Sequence, residues 1–118
     1  MARPYTILIA DDDPILREVV VNILQEPGYM VVSAADGYEA IRILAGRHVD
    51  LMIADVRMPG LDGMQLGLQA KVMRPRLHVI FITGYAVSPE VAEHGQIVPK
   101  PIRSSVLLEV VERELSAT

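Results

Sequence analysis

Ile7-Leu8-Ile9-Ala10-Asp11-Asp12-Asp13 passes from four apolar residues straight into three acids. An apolar run without polar alternation suits a strand covered on both faces, the condition of a parallel sheet flanked by helices. Similar runs recur at Met30 to Ala34, Leu51 to Ala54, Val79 to Ile82, and Ile97 to Val98. Helical periodicity fills the gaps. Ile15, Leu16, Val19, Val20, Ile23 and Leu24 form one stripe, with Asp13 as N-cap, Pro14 in the first turn and Pro27-Gly28 as the stop. A second helix starts at Asp36 with Glu39 in capping-box spacing, buries Ala40, Ile41 and Leu44, and ends near Gly46. A third runs from Asp62 or Gly63 to Met73, weakened by Gly67, and Arg74-Pro75 ends it. A fourth, Ser88 or Pro89 to about His94, has room for only about two turns. The last is capped by Ser104 or Ser105 and presents Leu107, Leu108, Val111 and Leu115.

The pattern is an α/β chain, a doubly wound parallel five-stranded sheet of (βα)5 form with a shortened fourth helix. Right-handed crossovers divide its helices between the two faces. At 118 residues the chain is read as one domain, residues 1–118. Its 51% hydrophobic and 22% charged residues exclude a disordered segment. Eleven basic against fifteen acidic residues give a net charge of −4, so direct nucleic-acid binding is not expected. The absence of cysteine excludes disulfides, thiolate zinc sites and cysteine nucleophiles. No apolar run approaches the ~18 residues of a membrane span, so no membrane insertion and a cytoplasmic location are expected. His48, His78 and His94 lack ligand spacing and read as solvated, while Met30, Met52 and Met73 read as core filler.

Polar residues mark the carboxyl ends of the strands: Asp11-Asp12-Asp13, Asp55, Thr83-Gly84 and Lys100-Pro101. A doubly wound sheet binds ligands there, where the strand order reverses. Were the first and third strands neighbours, Asp11, Asp12 and Asp55 would converge. Carboxylates ~4 Å apart repel by roughly 1 kcal/mol in water and by several times that in a partly dry cleft. Mg²⁺ offsets such repulsion and keeps coordination positions for a phosphoryl oxygen. Lys100 adds a second positive charge and Thr83 a neutral donor. The set makes a phosphoryl receptor in which Asp55, facing the metal-holding pair, is the nucleophile.

These segments resemble the receiver domain of two-component response regulators. The resemblance rests on Ile7-Leu8-Ile9-Ala10-Asp11-Asp12, Asp55-Val56-Arg57-Met58-Pro59-Gly60-Leu61-Asp62-Gly63, Ile82-Thr83-Gly84 and Lys100-Pro101. It implies a flavodoxin-like, CheY-like fold with strand order 2-1-3-4-5. It implies Mg²⁺ held by Asp12, Asp55 and the Arg57 backbone carbonyl, with Asp11 contributing through water. Asp55 would take a phosphoryl group from a phosphohistidine on a sensor histidine kinase or a histidine phosphotransfer protein, Thr83 and Lys100 would contact it, and Gly84 would keep access open. A downstream protein target would read the phosphorylated state. Lys100-Pro101 would be cis, and Arg57 and Tyr85 would tune autodephosphorylation. The departure lies at Ile97, where the family usually carries Tyr or Phe, and in a short segment from Thr83 to Lys100. The 83–89 loop, with Tyr85, is therefore expected to carry the conformational change.

A haloacid-dehalogenase-like phosphatase with Asp11 as nucleophile is the rival reading. Such enzymes place a further acidic pair after the Lys, whereas here Glu109, Glu112 and Glu114 lie on the exposed side of a helix. A partner-binding pseudo-receiver is opposed by the intact Asp, Thr and Lys set. A free-standing regulator and a receiver excised from a hybrid histidine kinase or a longer regulator remain equally compatible with the chain.

Overall fold

The computed structural model describes residues 4–84 and 89–117. Ten elements alternate: β1 (Thr6–Ala10), α1 (Pro14–Gln25), β2 (Met30–Ala34), α2 (Gly37–Gly46), β3 (Leu51–Asp55), α3 (Gly63–Met73), β4 (His78–Thr83), α4 (Pro89–Glu93), β5 (Gln96–Pro99) and α5 (Ser104–Ser116). All pairings are parallel, in the order β2-β1-β3-β4-β5. The fourth helix is short, as expected. Ser88 and Tyr85 lie outside the described residues, so the readings placed on them and on the 83–89 loop are not addressed structurally.

The apolar runs do what continuous hydrophobicity requires, because alternate residues enter two different cores. Ile7, Ile9, Leu51, Ile53, Ile80 and Ile82 pack with Val20 and Leu24 of α1 and Leu107 and Val111 of α5. Leu8, Ala10, Met52, Ala54 and Phe81 pack with Ala40 and Leu44 of α2, Leu66 and Ala70 of α3, and Val91 of α4. Both faces are covered, so β1 and β3 are buried at every residue.

Caps start the helices where the sequence places them. Asp13 Oδ1 accepts from the Ile15 and Leu16 amides, and Asp36 Oδ1 from the Glu39 amide. Glu39 accepts from the Ala35 amide at 3.3 Å, one residue before the N-cap Asp36, so the capping box is not closed. The complete box stands at Asp62 and Gln65 instead. The caps expected at Ser104 or Ser105 are absent. Arg103 holds the extended N-cap conformation, Ser104 is already helical, and no side chain caps α5.

Three further expectations are corrected. The α1 stripe is wider than the buried surface: Ile15 is 74% exposed and Val19 exposed, because only one side of α1 meets the sheet. Met30 is exposed on the edge strand β2, unlike the buried Met52. His78 is half-buried at the start of β4, with Nδ1 3.5 Å from Glu114 Oε1, so it is neither solvated nor remote from an acid.

α3 tolerates its glycines for reasons of space. A Cβ on Gly67 would lie 3.0 Å from the Phe81 ring, so the missing side chain makes room for the chain's one phenylalanine. At Gly63 the obstacle is backbone: a Cβ would overlap the Asp55 carbonyl oxygen and lie 2.7 Å from the Asp55 carbonyl carbon. Gly63 also donates its amide to the Val56 carbonyl at 3.0 Å, which pins the start of α3 against the end of β3. Gly63→Ala should therefore destabilise the fold by about 2–3 kcal/mol despite alanine's better helix propensity. Urea unfolding measures it, and an unchanged midpoint would refute this packing.

Candidate functional site

With β1 and β3 adjacent and in register at Ala10 and Ala54, the next residue of each strand enters the same space. Those residues are Asp11 and Asp55, and Asp12 follows. One carboxylate oxygen from each of the three lies within 4.8 Å of the others. Asp11 is fully buried and Asp55 5% exposed, whereas Asp12 opens to solvent. β5 delivers the cation. Lys100 Nζ donates to Asp55 Oδ2 at 2.9 Å, while the Lys100 amide donates to the Thr83 carbonyl at 2.8 Å. Thr83 ends β4 and is itself buried. A Cβ on Gly84 would lie 3.7 Å from the Lys100 side chain, in ordinary contact. The Lys100-Pro101 peptide is cis.

Each expected site residue thus lies at the carboxyl edge of the sheet. The Arg57 amide donates to Asp55 Oδ1 at 3.1 Å, so both Asp55 oxygens are engaged, one by a backbone amide and one by an ammonium. Asp11 Oδ1 accepts from the Asp13 amide at 2.8 Å. Its Oδ2 is buried and, among the described residues, has no hydrogen-bond partner. A buried, unpaired carboxylate oxygen normally costs free energy. One on a residue clustered with two further carboxylates fits a hard divalent cation, whose ligands are oxygens and which this cluster could hold.

The electrostatics agree with that fit. Burial raises the Asp11 carboxyl most; the Asp13 amide lowers it, Asp55 raises it again, Lys100 lowers it and Asp12 raises it, with a net pKa of about 6. For Lys100, burial acts downward, but the hydrogen bond to Asp55 and the charges of Asp55, Asp11 and Asp13 outweigh it and hold the ammonium above its ordinary value.

The acids after Lys100 lie elsewhere. Glu109 and Glu112 are exposed on α5, and Glu114 meets His78 at the amino end of β4, the far side of the sheet from Asp55. They cannot join the carboxylate cluster, which removes the geometry a phosphatase of the rival type needs. Sequence reading missed Arg17, whose Nη1 donates to the Asp11 carbonyl at 2.7 Å. A signal existed. A cation one turn into α1 opposes the helix dipole and so calls for another partner.

Residues 7–112 match the response regulator receiver domain family. The chain is 33% identical over 96% of its length to the transcriptional regulatory protein GlrR of Escherichia coli (strain K12), spanning 27% of that relative. It is 30% identical over 94% of its length to the response regulator receiver protein CpdR of Brucella abortus (strain 2308), covering 97% of it. It is 35% identical over 93% of its length to 12% of the sensor kinase CckA of the same organism. Among solved structures, a CheY-like receiver domain protein from Methanospirillum hungatei JF-1 superposes with a TM-score of 0.90 at 30% identity, over 98% of this chain and 96% of that one. The response regulator TrrA from Thermotoga maritima, in complex with Mg²⁺-BeF, superposes with a TM-score of 0.87 at 29% identity, over 93% and 98%. Strand order, carboxyl-edge acids and sequence match agree: the chain belongs to the receiver domains of two-component response regulators.

Proposed function

We propose that Asp55 accepts a phosphoryl group from a phosphohistidine of a sensor histidine kinase or histidine phosphotransfer protein, and that a downstream protein target reads the result. The observation that carries this is the meeting of the carboxylate cluster and the Lys100 ammonium on one residue, Asp55. A carboxylate oxygen of Asp55 bonds to phosphorus as the phosphorus–nitrogen bond breaks, and the electron pair leaves with the imidazole, which then takes a proton. Lys100 holds its proton in this setting and stays cationic, ready to pair with a phosphoryl oxygen as Asp55 becomes an acyl phosphate, a mixed anhydride. Thr83, at the end of the neighbouring strand β4, would donate its hydroxyl to a second phosphoryl oxygen. Asp11, Asp12, Asp55 and the Arg57 carbonyl are the ligands we assign to Mg²⁺. When bound, the ion would neutralise charge on the phosphoryl oxygens.

Support for the metal comes from the unpaired Asp11 oxygen and from the Mg²⁺-BeF complex of the Thermotoga relative. Support for a kinase donor comes from the similarity to a segment of the sensor kinase CckA. No helix among the described residues is long and apolar enough to cross a membrane. We assign the cytoplasm as the compartment, where a phosphohistidine donor of this class works. Ile97 is half-buried against the α2/α3 core beside Phe81, a position from which an aliphatic side chain has nothing to gain by leaving.

Incubation with acetyl phosphate and Mg²⁺ should yield an acyl phosphate that maps to Asp55 by mass spectrometry. Asp55→Asn should abolish it and Asp13→Asn, which removes one charge but leaves an oxygen able to cap α1, should largely preserve it. A stable adduct on Asp11 would overturn the assignment.

Mg²⁺ at ten times its dissociation constant should stabilise the fold by about 1.4 kcal/mol, roughly 5 °C in Tm. Asp12→Ala should lose most of that shift. The effect should also depend on pH. Because the Asp11 pKa is raised in the folded state from 3.8 to about 6, the folded protein holds more protons than the unfolded chain across that interval. Stability from this group is therefore present below the unfolded value and lost as pH rises through the folded one. The Mg²⁺ response, which needs Asp11 ionised, should be larger at about pH 7.5 than at about pH 5. Thermal melts with and without Mg²⁺ at both pH values check this, and equal shifts would count against Asp11.

A further inference from the structure

Arg17 sits one turn into α1, where the helix dipole disfavours a cation. Its place is explained by what it holds. The Asp11 carbonyl lies beyond the last β1–β3 pairing at Ala10 and Ala54, where the sheet supplies no further donor from that strand. Arg17 Nη1 donates to it at 2.7 Å, while the Arg17 amide donates to the Asp13 carbonyl at 3.0 Å. The acidic tripeptide is thus gripped at both ends by one residue. Within it, the Asp13 amide donates to Asp11 Oδ1 and the Asp13 carboxylate caps α1. Besides these bonds, the Asp11 amide donates to the Ala34 carbonyl of β2 at 3.2 Å, which ties the start of the turn to the sheet.

We infer that Arg17 is a positioning residue for divalent-cation binding: by fixing the Asp11 carbonyl it sets the plane of the Asp11–Asp12 peptide, and with it the directions of both carboxylates. This rests on the assignment of Mg²⁺ to the carboxylate cluster. The role is geometric, and its sign tells it apart from simple electrostatics. A guanidinium acting only as a nearby charge would repel Mg²⁺, so its removal would tighten binding. A guanidinium that holds the ligands in place does the opposite, and groups supporting metal ligands typically matter by a factor of ten or more in affinity.

The test is Mg²⁺ titration by calorimetry of the unphosphorylated wild type, Arg17→Met and Arg17→Lys, with urea unfolding of each metal-free protein alongside. Arg17→Met should weaken Mg²⁺ about tenfold, and Arg17→Lys, which keeps one donor and the charge, should recover at least a third of the lost affinity. In the metal-free protein, the Asp13 amide should exchange with solvent faster in Arg17→Met, because the carboxylate that holds it is no longer aimed. Unchanged or tighter Mg²⁺ binding in Arg17→Met, whatever its stability, overturns the inference, as does an Arg17→Lys variant no better than Arg17→Met. A wild type that binds no Mg²⁺ is a distinct result: it removes the metal assignment itself and this inference with it.

Discussion

Three carboxylates held within 4.8 Å of one another set the terms for the rest of the molecule. Each pair at ~4 Å repels by about 1 kcal/mol in water and by about 4 kcal/mol in surroundings of intermediate polarity, against a typical domain stability of only about 5–15 kcal/mol. Such a cluster survives only on a scaffold that does not yield. β1 and β3 supply it, because both are buried along their whole length and pack into cores on two faces. Lys100 offsets part of the repulsion, and it reaches Asp55 from β5, two strands away. The site therefore depends on the order of four of the five strands, β1-β3-β4-β5, and the carboxylate repulsion they hold in place is what a cation or a phosphoryl group would change.

This dependence explains what could be read from the sequence. Strands covered on both faces leave uninterrupted apolar runs, and polar residues at the ends of such runs have no packing purpose, so Asp11, Asp12, Asp55, Thr83 and Lys100 stand out. Side-chain caps at Asp13, Asp36 and Asp62 are local signals and were equally plain. What escaped was tertiary. Ile15 and Val19 continue the apolar stripe of α1 but overhang the sheet, since periodicity marks a face without marking how much of it is covered. Met30 stands on an edge strand, and a run of apolar letters does not say which strand is at the edge. Ser104 was outranked as a cap because Arg103 already holds the extended conformation and the helix begins one residue sooner than the serine pattern suggests. Arg17 reaches a carbonyl six positions back, a spacing that belongs to no regular element.

The two cores also meet the site differently. α1 grows directly out of the acidic turn through the Asp13 cap, while α3 begins at Gly63 against the backbone of Asp55. A change of charge at Asp55 thus touches, at first remove, one helix on each face. β5 contributes Lys100 at one end and Ile97 at the other, and Ile97 belongs to the α2/α3 core. The short α4 and the missing ring at Ile97 leave fewer parts on that edge through which a change could travel.

The row of residues immediately beneath the acids shows how α3 comes so close. Ala34, Ala10, Ala54, Phe81 and Ile97 occupy one register line across the five strands and all face the α2/α3/α4 layer. Three adjacent alanines lower that surface over β2, β1 and β3, so the loop carrying Met58 and Leu61 can settle onto the sheet, and both are nearly buried there. Phe81 then raises the surface over β4, and α3 answers with Gly67 opposite the ring. Larger residues in place of Ala10 or Ala54 would lift the Met58 to Leu61 loop, and with it Gly63 and the end of β3. The alanines that look least informative in the sequence are thus what allow Asp55 to be held by its own backbone neighbours, and they connect the core's packing to the placement of the carboxylates.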